Sequence, residues 1–156
     1  EMDKLIWEEP TTRELYEQIK SAGGLYEEPI IDSNYVVLEG NRRLVCLRHL
    51  KIKAQKGELT GIGKTAFNIV KCRIIPEDVS DVQKQLFLAA IHVKGKQPWP
   101  AFNKAKQIDD LYKIHKLSYD QLAKSLNMGK VTVITTVNAY EQTYKYGKNY
   151  PDDNQL

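Results

Sequence analysis

The sequence predicts an α/β (α+β) chain in two parts, with strands alternating with helices up to about residue 98 and helices alone after it. Three observations carry this. β-branched runs at 29–31, 35–38 and 69–75 are separated by segments of helical period. Beyond Pro100 the apolar residues recur only at helical spacing. Residues 118–133 have the spacing of two short helices joined by a tight turn.

Thr11, with Glu14 three residues on, has the form of a capping box, and no strand is legible before it. Leu15, Tyr16 and Ile19 give the helix an apolar stripe, and Gly23-Gly24 ends it. Two strands follow, at 29–31 and 35–38, joined through Asp32-Ser33-Asn34, and the second stops at Gly40. Leu44, Leu47 and Leu50 then mark a helix to about Ala54, with Arg42, Arg43, Arg48 and Lys51 between them. A Gly-rich loop at 56–64 leads to a strand at 69–75 that ends at Pro76. Ser80 and Asp81 open a helix carrying Val82, Leu86, Phe87, Ala90 and Ile91. Residues 94–100 break the pattern, and a further helix spans 101–115. In the last part Ala123 is the small residue that lets two helices approach and Asn127 suits the turn. Leu122, Leu126, Val133 and Val137 form the shared core.

At 156 residues the chain is long enough for one domain or two small ones. No apolar run approaches the roughly 18 residues of a membrane span, and no signal-peptide pattern opens the chain. Cys46 and Cys72 lack metal-ligand spacing and read as reduced core thiols, which points to the cytoplasm. The opening at Glu1 and the polar tail at 147–156 read as the ends of a piece of a longer protein.

The net charge of +3 hides a strong division. Residues 1–39 hold ten acids and three bases, residues 40–73 nine bases and one acid, and residues 92–148 ten bases and four acids. Basic blocks of this kind suit polyanion contacts, and they equally suit solvated lysines on helix surfaces.

Gly40-Asn41-Arg42-Arg43, set between a strand and a helix, is a candidate anion site. The first N–H groups of a helix have no internal partner, its dipole favours negative charge there, and arginine adds bidentate phosphate recognition. A basic helix with its arginines facing solvent fits the spacing equally well.

Gly40-Asn41-Arg42-Arg43 also resembles the GERR box of the ParB family, chromosome and plasmid partition proteins built on a fold shared with sulfiredoxin. Upstream, Ile19-Lys20-Ser21-Ala22-Gly23-Gly24-Leu25-Tyr26-Glu27-Glu28-Pro29-Ile30-Ile31 is similar to the family's "SI..HG..QPI.V" stretch. The resemblance runs in order from about Arg13 to about Thr143. It implies a ParB/sulfiredoxin-like domain with a small mixed sheet at 1–98, a helical helix–turn–helix domain at 99–146 and a polar tail. ParB-like domains usually begin with a strand, which is not legible here.

For the site, the resemblance implies a nucleotide, CTP or another NTP, held by Gly24, Pro29, Glu39, Gly40, Asn41, Arg42 and Arg43. Residues 92–96 occupy the place of the family's ENxxR motif, so His92 and Lys96 would complete the pocket. His92 and Val93 stand where a carboxylate and an amide would bind Mg²⁺, and a hard cation prefers oxygen ligands. The sequence therefore speaks against Mg²⁺, and no metal ligand or catalytic residue is assigned. Gly61-Ile62-Gly63-Lys64-Thr65 is out of register for a P-loop, with Glu58 where its first glycine belongs, and it leads into a strand.

The helix–turn–helix pattern leaves Lys130, Thr132, Thr135 and Thr136 for DNA, and ParB proteins carry such a module after the nucleotide domain. The second helix has only Lys130 and no arginine, a poor set for strong base reading. His49 and His115 have no third ligand at metal spacing, and the tyrosines read as packing residues. The expected function is DNA binding gated by a nucleotide or phosphate, without a membrane, with dimerisation through regions outside the sequence. The alternatives are a nuclease or NTPase, for which only Glu27, Glu28 and Glu39 surround the box, and a protein-interaction module with a degenerate pocket. Sulfiredoxin activity would need a cysteine after the turn glycine, where Asn41 stands.

Overall fold

A computed structural model describes residues 2–94, without the Lys94 side chain, and 100–151. Its elements are seven helices and a small mixed sheet, arranged as two compact units that divide between Asp78 and Val79.

The first unit begins with α1 (Met2–Glu8), where the sequence suggested no element. Its Trp7 stacks on His49 of the long third helix at 3.7 Å, meets Tyr16 edge-on at 5.2 Å and carries the Arg13 guanidinium 4.0 Å from its ring. His49 is thus a packing residue, as expected. The next helix, α2 (Pro10–Ala22), starts earlier than the expected cap at Thr11. Proline is pre-organised for the first helical position, so Glu9 becomes the N-cap and no side-chain capping bond forms. The helix ends as expected: Gly23 is left-handed, its N–H donates to the Lys20 carbonyl, and Gly24 N–H donates to Ile19.

Two short strands, β1 (Ile30–Ile31) and β2 (Val37–Glu39), pair antiparallel. Asp32 turns the chain between them, its carboxylate accepting from both Asn34 N–H and Val36 N–H at 2.9 Å. Tyr35 has φ 63° and lies in this turn, so the strand expected at 35–38 starts two residues late. Helix α3 (Asn41–Gln55) buries Val45, Cys46, Leu47, Leu50 and Ala54, while Leu44 is only half-buried. The strand expected over 69–75 shrinks to β3 (Arg73–Ile74), parallel to β1 in the order β2-β1-β3. β1 offers only two residues to pair with, and Ile69 is 92% exposed. Tyr16, Ile19, Cys46, Leu47, Leu50, Ala54 and Leu59 form the core between α2 and α3.

The second unit holds α4 (Asp81–Lys94), α5 (Ala101–Lys113), α6 (Tyr119–Leu126) and α7 (Lys130–Asn149). α4 packs with α5 and α6, so the domain boundary expected near residue 98 falls within this unit. Ser80 caps α4 through a reciprocal pair with Gln83, the backbone N–H of each residue meeting the side-chain oxygen of the other. α5 ends two residues before the expected His115, and Lys116 beyond it has φ 58°. The core joins Ala89, Ile108, Leu111, Leu122, Leu126, Val133 and Val137, including the four apolar residues expected to unite the last two helices. Among the described residues no helix is long and apolar enough to cross a membrane.

Candidate functional site

The turn into α3 is tightly built. Gly40 has φ 103°, and a Cβ there would stand 3.1 Å from Pro29 Cβ and 3.4 Å from Arg43 Nη1. Glycine is needed both for the left-handed backbone and for this approach. Pro29 is buried against the turn, and Glu39, the last residue of β2, faces Arg43 one helical turn on.

Arg43 is the centre of the box. Its Nη1 donates to Glu39 Oε2 at 2.7 Å and its Nη2 to Glu27 Oε2 at 2.5 Å. The arginine and Glu39 are about one-fifth exposed, and Glu27 is largely exposed. The fork expected to meet a phosphate therefore spans two carboxylates of its own chain. Arg42 takes another direction, donating from Nη1 to Thr11 Oγ1 on α2 at 3.1 Å. Asn41 is exposed at the head of α3, and Gly24 lies just past the end of α2. Pro29, Glu39, Gly40 and Arg43 are brought together, with Glu27 as a partner that the sequence reading did not place on Arg43. His92 is buried on α4 of the second unit, and Lys96 lies outside the described residues.

No reactive thiol accompanies the box. Burial pushes the Cys46 thiol up to about 11, and its Sγ donates to the Thr12 carbonyl. Among the described residues no three His, Cys, Asp or Glu side chains are grouped to hold a metal ion. The glycine-rich loop leads to β3 rather than to a helix, so its backbone does not have a P-loop setting.

The second candidate is the α6–α7 pair. Ser118 Oγ accepts from Gln121 N–H at 3.2 Å while Gln121 Oε1 accepts from Ser118 N–H at 2.8 Å, a full capping box at the start of α6. Asn127 ends the helix in the left-handed conformation, and Met128 N–H donates to the Ala123 carbonyl. Gly129 then caps α7, completing a three-residue turn. Lys130, Thr132 and Thr135 are exposed, and Thr136 is half-buried. Lys130 Nζ pairs with Asp120 Oδ2 at 2.8 Å. The hydroxyls of Thr135 and Thr136 both donate to the Thr132 carbonyl, and each oxygen keeps its acceptor lone pairs.

Asn138 and Gln142 lie on the same exposed stripe of α7, which the sequence reading missed. Their spacing from Val131 and Thr135, by four, three and four residues, was the available signal.

On the inward side, α5 and α7 border a groove of about 400 Å³ lined by Lys106, Asp109, Lys113, Tyr140, Glu141 and neighbouring residues. Lys113 Nζ sits 2.7 Å from Glu141 and 2.9 Å from Asp109. The Glu141 hydrogen bond, followed by that of Asp109, holds Lys113 above the ordinary lysine range.

Comparison with family models, with curated proteins and with solved structures found no match to this chain.

Proposed function

We propose that the chain is a ParB-like DNA-binding protein that contacts duplex DNA through its second unit, with α7 as the helix entering the major groove. The observation that carries the reading is the α6–α7 pair: a capped first helix, a three-residue turn, a shared apolar core and an exposed amino-terminal half of the second helix. The ten bases against four acids of residues 92–148 supply the electrostatic footprint. The test is titration of a duplex at several salt concentrations. Affinity in the micromolar range that falls steeply with salt supports the reading, and no binding at low salt overturns it.

A nucleotide or phosphate gate at the Gly40 box stays within the proposal in a specific form. A phosphate would take the place of the exposed Glu27 on Arg43, with Glu39 keeping the other nitrogen. The second reading is an interaction module in which the box is a structural clamp, and the engagement of both Arg43 nitrogens by carboxylates favours it. No nuclease or NTPase chemistry is proposed, because Glu27 and Glu39 are both engaged by Arg43 and Glu28 pairs with Arg73 at 3.5 Å.

A further inference from the structure

α7 presents a long outer face without charge. Between Lys130 and Lys145 its only charged residue is Glu141, and that carboxylate is turned to Lys113 of α5 at 2.7 Å. The opposite stripe consists of Val131, Thr132, Thr135, Asn138 and Gln142, all exposed, with Val131 at 73%. In a chain that is 28% charged, a solvated helix face of this length would ordinarily carry lysine or glutamate.

The chemistry of the stripe matches one base pair better than the other. An amide side chain pairs bidentately with the N6 and N7 edge of adenine, and small apolar groups meet the thymine methyl. Guanine is read mainly by arginine or lysine, and the lysine in register with this stripe, Lys145, stands two turns beyond Asn138, in the carboxy-terminal half of α7. Asn138 lies two turns into α7, within the half that a groove would admit. Thr135, its hydroxyl hydrogen committed to Thr132, offers a methyl and an acceptor.

We infer that α7 reads A·T base pairs in the major groove, with Asn138 the main specificity-determining residue. This rests on the DNA-binding reading above and deepens it. The test is selection of bound sites from randomised duplexes by the full chain at low salt, repeated with Asn138→Ala and Asn138→Ser after circular dichroism confirms their helix content. The expected result is enrichment of fixed A·T positions by the unmodified chain. Both variants should lose about five- to a hundredfold of discrimination at one such position. Lys130→Ala should weaken all duplexes alike and keep the preference. Enrichment of G·C, no enrichment, or an unchanged preference in both Asn138 variants overturns the inference while salt-sensitive binding stands. Absence of any duplex binding overturns the DNA reading along with it, and leaves the uncharged stripe as a face for a protein partner.

Discussion

Lys130 and Asp120 form an ion pair of 2.8 Å that ties the first residue of α7 to the first turn of α6. Asp120 complements the dipole of its own helix, whereas Lys130 opposes the dipole of the helix it begins. Both side chains are more than half exposed, so the pair contributes only about 0–1 kcal/mol to stability. Its importance lies in where it holds the cation. Asp120→Asn should release Lys130 toward phosphate and tighten duplex binding, with little change in melting temperature. Lys130→Ala should lower the slope of log affinity against log salt by about one. A titration series of both variants checks this, and equal slopes for Lys130→Ala and the unmodified chain would remove Lys130 from the interface.

Arg43 gives a second expectation. Arg43→Glu would set three carboxylates around one turn, so it should destabilise the first unit by about 1–3 kcal/mol. Arg43→Gln should cost less. Urea unfolding followed by tryptophan fluorescence measures both, and an unchanged midpoint for Arg43→Glu would mean that the clamp is dispensable.

Glu27→Ala separates the gate from the clamp. Removing the exposed carboxylate frees one side of the guanidinium while Glu39 keeps the other. Calorimetry with CTP and with pyrophosphate should then show tighter binding than to the unmodified chain. Equal or absent binding in both proteins would favour the clamp reading.

Gly40→Ala should be severe. The φ of 103° strains any L residue, and the methyl would meet Pro29 at 3.1 Å. A loss of about 2–4 kcal/mol is expected from strain and contact together, read from the same unfolding curves.

His49 links stability to pH. Burial, then the charges of Arg13 and Lys53, hold its pKa below the ordinary histidine value, with Asp3 opposing. The folded state therefore binds the proton less readily than the unfolded chain. The neutral ring's contribution is complete above the unfolded value near 6.5 and is lost as pH falls through the lower folded value. His49→Phe, which keeps a flat ring against Trp7, should flatten the dependence of stability on pH below about 6.5.

Much of this arrangement was legible in the residues. Gly40 and the leucines after it marked α3, and Ala123, Asn127 and the four core residues marked α6 and α7, because turns and periodicity are local signals. What escaped depended on distant partners. α1 has no buried residue, and its Trp7 finds its place only against His49 and Arg13. The run at 69–75 has strand propensity throughout, yet only Arg73 and Ile74 lie beside β1. Glu27 reaches Arg43 across sixteen residues, a pairing that no local spacing announces. Asn138 and Gln142 were passed over because neutral polar residues carry little contrast in a charge count.

The shortness of β3 has a kinetic consequence. Arg73 N–H and Ile75 N–H donate to the Pro29 and Ile31 carbonyls at 2.9 Å, fastening the strand at the end of the long connection from α3. So few bonds, beside the exposed Ile69 and Ile74, cost little to break compared with separating α2 from α3. The outer strand should therefore detach while the helices stay packed. Its amides would exchange with deuterium far sooner than those of Leu47 and Leu50, and limited proteolysis would find its first cut in the connection before it.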